Sequence, residues 1–455
     1  MKRLALLLVA ASVSSGILRA APPRWAPPQQ VGIANKSRFG LDCYDRLWCL
    51  HLRRPYLHPE SSTFSASRYD ENQWLEPVLV YTGGEACGLG GFDATRARDG
   101  RLWVVTSAEY GRDPHIALYY DGTVWSDTFV MGNSPVDVST GFTLESDSIG
   151  KVWAVFDVGE DYRIWADVCD DTVWSGARPI VALPTGEQVA FSKLTVAPNG
   201  VRWAGATALY TSSEDRVFLC RSDSAGNWPD SLILGPGPRE GALHGLAADN
   251  QGNIWIAWSG NPWGPDSGIY AARLDTNLRW SPSYRISQSG WFCNLAIDGD
   301  NKVWVVYDVG RNFYYRVWDG WEWCPADSVV QSPASSSVAD AVFYDPVRVR
   351  IWVSFRTDDG RTFATWTDPS GGVAEQEPAT VCRLGQALVL RGVLLVPGAV
   401  SGQRSAVSGL LDVTGRKVMD LLPGANDVSS LSPGVYFYTL DNGTKRISRK
   451  VVLTG

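Results

Sequence analysis

The sequence predicts an all-β fold, and three observations carry the prediction. The first is a repeat, clearest as Asp249-Asn250-Gln251-Gly252-Asn253-Ile254-Trp255, in which a turn leads through an aliphatic residue into a Trp. Related stretches end at Trp48, Trp103, Trp153, Trp203, Trp304 and Trp352, so the seven Trp recur every 48 to 55 residues. A period near 50 repeated in this way is the signature of a radial array of small sheets. The second is composition: 21 Trp and 17 Tyr against 3 Met favour aromatic strands. The third is the Gly, Asp and Asn turn chemistry that cuts each period into four short strands. Together they predict a seven-bladed β-propeller of four-stranded blades, followed by a small β-sandwich.

In the sixth repeat the inner strand spans Asn294–Ile297, the second Val303–Tyr307 and the third Phe313–Trp318, with a turn at Asp319-Gly320. A second Trp follows the third strand of the first six repeats, at Trp74, Trp125, Trp174, Trp228, Trp280 and Trp323. The last repeat supplies strands at Val338–Tyr344, Ile351–Phe355 and Thr362–Thr367 and then lacks this Trp segment. The missing piece resembles the stretch at Trp25 near the N-terminus. That segment is expected to complete the seventh blade and remove the exposed edge of an open array.

The 455 residues exceed one ordinary core, but a ring grows blade by blade as each packs on its neighbours. With 45% apolar and 20% charged residues the chain is globular, not disordered. A net charge of -7 argues against nucleic acid as partner. Residues 1–20 read as a signal peptide: Lys2-Arg3, an apolar run from Leu4 to Val13, and cleavage near Ala20 or Ala21. No other stretch is long and apolar enough to span a bilayer, and a secreted or cell-surface monomer is expected.

Eight Cys are scattered without Cys-x-x-Cys or zinc spacing. Cys43 and Cys49 flank the first repeat's turn, where either a cross-turn disulfide or two small buried side chains fit. No cofactor is expected; a Ca²⁺ in an Asp-rich turn or the channel stays open as an alternative, although no run of alternating carboxylates marks a site. Gly-rich phosphate loops and the Gly-x-Ser-x-Gly elbow are absent from the sequence.

The repeat resembles the short propeller repeats of sensor-type periplasmic domains and of NHL-like and streptogramin-lyase-like proteins, a likeness that bears on fold and hardly on function. It is also similar to the Asp box of sialidases, which sets Asp five residues before the aromatic. Here Asp42, Asp147, Asp249 and Asp298 stand six before their Trp, and no arginine triad can be assigned. Residues 373–385 lose the period and read as a linker. Residues 386–455 carry Leu411-Asp412-Val413-Thr414-Gly415-Arg416-Lys417-Val418, then Ser432-Pro433-Gly434-Val435-Tyr436, then Arg449-Lys450-Val451-Val452-Leu453. This order resembles the C-terminal sorting domain of type IX secretion cargo, a small immunoglobulin-like sandwich. The resemblance implies engagement of the outer-membrane secretion machinery, although Val396-Pro397-Gly398-Ala399 replaces the usual Asn-Pro-rich opening.

Candidate ligand groups fall in two sets. Loops between second and third strands carry Tyr110, Arg112, Asp157, Trp263, Asp308 and Arg311. Arg38, Asp93, Lys193, His244, Asn294 and Asp340 are expected around the channel mouth, each just ahead of an inner strand. Asp157, Asp308 and His244 are the candidates for acid–base chemistry, and Trp263 is a candidate sugar platform. No residues assemble by spacing into a recognisable catalytic set. The sequence therefore favours a binding or scaffold protein for an extracellular glycan, peptide or surface protein. The alternative is an extracellular polysaccharide hydrolase or lyase working at the channel mouth.

Overall fold

The structure is a computed structural model that describes residues 23–368 apart from 54–62, 83–91, 108–114, 132–141, 158–162, 183–186, 211–215, 224, 230–231, 237–239, 261–266 and 331–335. In the C-terminal part it describes 388–453 apart from 391–392, 397–405, 413, 422–423, 429, 433 and 442–445. The expected signal peptide and linker lie outside these residues. Two compact units are distinguished, Met1–Gly371 and Gly372–Gly455. Among the described residues no helix is long and apolar enough to cross a membrane.

Among its described residues the first unit is built of seven antiparallel sheets, each carrying four strands in a single path. Their innermost strands are Lys36–Leu41, Phe92–Arg96, Phe142–Ser146, Glu187–Val196, Glu240–Ala248, Cys293–Ile297 and Ser336–Asp345. Each innermost strand lies against that of the next sheet, and the seventh lies against the first. The order is therefore a closed ring.

Local chemistry explains the repeat. In the sixth sheet Asp298 Oδ1 accepts the amides of Asp300 and Lys302 at 3.0 and 2.9 Å, holding the turn between the first two strands. Its other oxygen accepts the indole N–H of Trp304 at 2.8 Å. The same bond joins Asp42 to Trp48, Asp147 to Trp153 and Asp249 to Trp255, at 2.8, 2.9 and 3.2 Å. One carboxylate thus satisfies donors of both the turn and the Trp. The six-residue spacing is the span of that bond. Ala97 and Ala197 stand where the second and fourth sheets would carry the Asp. Gly100 and Gly200 still close those turns from the left-handed region, at φ 92° and 81°.

The two Trp sets form the contacts between sheets. Trp48 meets Trp125 of the second sheet at 6.1 Å, Trp103 meets Trp174 of the third at 5.9 Å, and Trp255 meets Trp323 of the sixth at 6.1 Å. All three pairs are edge-to-face, the geometry that ring quadrupoles favour. Trp352 of the seventh sheet meets Trp74 of the first in the same way at 5.8 Å.

The outer strand of the seventh sheet comes from the start of the chain. Arg24 pairs with Asp368 and Trp25 with Thr367, and Gln29–Ile33 pairs further along the same strand. Cys43 and Cys49 are free thiols, so the cross-turn disulfide is not formed. Cys49 is fully buried in the core, and the Cys43 thiol donates to the Asp121 carbonyl at 3.4 Å.

In the second unit Leu388–Leu390, Val393–Val396 and Gly424–Asp427 form one antiparallel sheet. Ala406–Leu411, Lys417–Met419, Gly434–Asp441 and Arg446–Leu453 form another. Gly424–Asp427 was not legible, because Gly-Ala-Asn-Asp has none of the β-branched character that marks a strand.

Candidate functional site

All seven innermost strands line one central cavity of about 540 Å³. Arg38, Asp93, Lys193, His244, Asn294 and Asp340 all reach it, each from a different sheet. The strands extend further than the turn chemistry suggests, so all six residues lie inside them rather than just ahead.

Three of the six owe their position to backbone irregularity. Strand pairing passes from Leu243 to Gly245 while its partner advances by one, leaving His244 as the extra residue. Asp340 is likewise the extra residue between Ala339 and Ala341. A third bulge falls between Ala190 and Lys193, where Phe191 takes φ 58°. Bulges re-aim side chains beside functional sites, and here they do so around one cavity.

The polar groups form a partly satisfied network. Arg38 Nε contacts Asp93 Oδ1 at 3.2 Å, and its Nη1 donates to the Asp340 carbonyl at 2.8 Å. Asp93 Oδ2 accepts the Leu144 amide at 3.0 Å. Ser37 Oγ donates to Asp340 Oδ2 at 3.2 Å, and Asn294 Nδ2 donates to the Ala339 carbonyl at 2.9 Å. Among the described residues no carboxylate lies within ion-pair distance of Lys193.

Burial governs the titration of the site. Burial and the Arg38 charge bring the Lys193 ammonium down to about 8, against the pull of Asp93. Glu145 also lines the cavity, and burial with the Asp93 charge pushes its carboxyl up to about 8. Burial, then Lys193, lowers His244 to about 3, so its imidazole is neutral. Asp93 and Asp340 are raised by burial and restrained by Arg38, with Arg356 also acting on Asp340.

His244 Nε2 lies 3.2 Å from Ser259 Oγ, and its ring sits 6.0 Å from Phe191 and 5.5 Å from Phe292. Trp291 and Phe292, on the approach to the sixth inner strand, are 51% and 38% exposed. Phe292 sets an aromatic ring against His244, which lines the cavity.

The carboxylate candidates of the loops have other work. Asp157 Oδ2 accepts both the amide and the hydroxyl of Ser192 at 2.9 Å, tying the third sheet to the fourth. Asp308 Oδ1 accepts the amides of Trp291 and Phe292 at 2.9 and 2.8 Å. Burial raises Asp308 against these two bonds. Both carboxylates are buried staples and neither lines the cavity. Arg311 is exposed at a turn outside it, and Tyr110, Arg112 and Trp263 lie outside the described residues. Sequence reasoning missed Glu145, Trp291 and Phe292. Glu145 stands two residues beyond Thr143, which occupies the third sheet's equivalent of the Asp93 position, and alternation along that strand was the available signal. Among the described residues no cluster of His, Cys, Asp and Glu could hold a metal ion.

No family model and no curated protein matches the sequence. Solved structures do resemble it. An ulvan lyase with a GlcA-containing saccharide bound superposes with a TM-score of 0.54 at 12% identity, over 75% of this chain and 95% of that one. The polysaccharide lyase Uly1 gives 0.52 at 10% identity, over 78% and 93%. Likeness at this identity speaks to architecture, and it agrees with the closed ring of four-stranded sheets. The first unit is a β-propeller. The cavity is the central channel of that propeller, where inner strands from every sheet converge.

Proposed function

We propose that this protein is a secreted or cell-surface, seven-bladed propeller that binds an extracellular glycan or peptide at its channel mouth. In this reading residues 1–20 direct export and are removed, and residues 21–372 form the binding unit. Residues 373–385 link it to a sorting domain at 386–455, which engages the outer-membrane secretion machinery. The observation that carries the binding role is the convergence of Arg38, Asp93, Lys193, His244, Asn294 and Asp340, one from each of six sheets, on a single cavity. Concave sites with a few convergent polar groups are where ligands bind.

A second reading is supported by Glu145 and Lys193, both held near 8 in the same cavity. Acid–base catalysts work best near the operating pH, which keeps a polysaccharide lyase as the alternative. The polysaccharide lyases that share the fold lend this reading only their architecture. The test is an array of glycans and peptides probed with the full chain, with each retained ligand assayed for product. Intact retained ligand supports the binding protein. Product lost in both Glu145→Gln and Lys193→Met would replace it with the enzyme.

A further inference from the structure

Lys193 differs from Arg38, the other cation among the six groups that converge on the channel. Arg38 is held by Asp93 and by two carbonyls, those of Ser37 and Asp340. Lys193 lines the same cavity, half-buried, and among the described residues it has no ion-pair partner. A desolvated ammonium without a counter-ion is costly, and an arriving anion would relieve that cost. The carboxylates nearby do not supply it: Asp93 is committed to Arg38 and the Leu144 amide, and Asp157 to Ser192.

Aromatic rings lie against His244, which lines the same cavity as this ammonium. The Ala190–Lys193 bulge places Phe191 next to Lys193 in the chain and its ring 6.0 Å from His244. The Phe292 ring lies 5.5 Å from the His244 ring, and the neighbouring Trp291 exposes half its surface. Asp308 pins the amides of Trp291 and Phe292, so this pair stands on a fixed piece of backbone. Exposed aromatic rings held rigidly beside polar groups offer apolar faces for the C–H side of a sugar ring.

Resting on the binding reading above, we infer that the ligand is an acidic glycan. Its carboxylate or sulfate group pairs with Lys193 inside the mouth, and an adjoining sugar ring lies on Trp291 and Phe292. The exposed aromatic rings favour a glycan over an acidic peptide, which would need backbone hydrogen-bonding groups or an apolar pocket instead.

The test measures affinity of the full chain for four probes: oligogalacturonate, a sulfated galactan oligosaccharide, its uncharged counterpart, and a poly-glutamate peptide. Binding is expected for one or both acidic glycans, with the uncharged glycan and the peptide at least about tenfold weaker. Lys193→Met should reduce that affinity at least about tenfold while Lys193→Arg stays close to the parent, because only the charge is needed. Trp291→Ala and Phe292→Ala should each weaken acidic glycan binding, with unchanged melting temperatures confirming intact folds. Comparison of the two acidic glycans separates carboxylate from sulfate as the preferred group. Equal affinity for the uncharged glycan, or no effect of Lys193→Met, overturns this inference and leaves the binding role standing. Tighter binding of poly-glutamate, unaffected by Trp291→Ala, reassigns the site to acidic peptides and likewise overturns it. Retention of no probe counts against both the inference and the binding role.

Discussion

Trp25 and Trp304 meet edge-to-face at 6.4 Å and 86°, although they come from opposite parts of the chain. Trp25 also lies 5.4 Å from Tyr315. The N-terminal segment therefore joins the last sheet by strand pairing and packs on the sixth sheet by its ring. A ring of sheets whose final strand comes from the other terminus cannot lose that strand without opening an edge.

Trp25→Ala should lower stability by about 3 kcal/mol, the order found when a packed Trp is truncated. Deletion of the segment through Ile33 should do more, since it also removes the pairing with Arg361–Asp368. Thermal unfolding of the two variants checks this, and equal melting temperatures for variant and parent would refute it.

The Asp-to-Trp bond makes a second prediction. Asp298→Ala removes the acceptor for two amides and an indole, and should cost about 2 kcal/mol. Asp298→Asn keeps one acceptor oxygen and should cost less. Conversely, Ala97→Asp should be accepted in a turn that Gly100 already closes. Denaturant unfolding of the three variants ranks them.

The buried histidines work against folding on the acid side. Burial holds His51 and His115 at about 4 and His244 at about 3 in the folded protein, below the ordinary 6.5. Between about 6.5 and 4 these three histidines bind more protons in the unfolded chain, so their contribution weakens folding as pH drops through that window, while the raised Glu145 carboxyl contributes with the opposite sign. His115 lies against Phe142 at 4.4 Å and Phe156 at 4.7 Å. In His115→Phe the melting temperature should decline less between about pH 7 and 4.5 than in the parent.

Ligand affinity should fall on the alkaline side. Below about 8 Lys193 is cationic and Glu145 neutral; above it Lys193 loses its charge and Glu145 gains one. Both changes oppose an anion. His244 stays neutral across this range, while burial raises Asp93 and Asp340, the other carboxyls lining the cavity. Affinity for an acidic glycan should therefore drop between about pH 7 and 9. Glu145→Gln should shallow the drop and Lys193→Arg should shallow it further. A flat profile in the parent would contradict the assignment.

The sheets were legible because their determinants are local. An Asp turn, a Gly in the left-handed region and a Trp six residues on are consecutive events in one hairpin, and each recurrence repeats the evidence. The channel residues were partly legible for the same reason: a ring brings equivalent positions of every inner strand to one axis. The roles of Asp157 and Asp308 were not legible, because their partners, Ser192 and the amides of Trp291 and Phe292, lie outside their own loops in sequence.

By itself the sequence determined the period, the strand order, the turns and the use of the Trp25 segment at the end of the ring, all consequences of short-range hydrogen bonding and apolar alternation. Only the tertiary structure decided which polar groups meet. The bulges at His244, Asp340 and Phe191 shift the strand phase by one residue, and such a shift exchanges inward and outward faces. The near-neutral titration of Lys193 and Glu145 likewise arises from burial among side chains of other sheets, a through-space effect that no stretch of sequence contains.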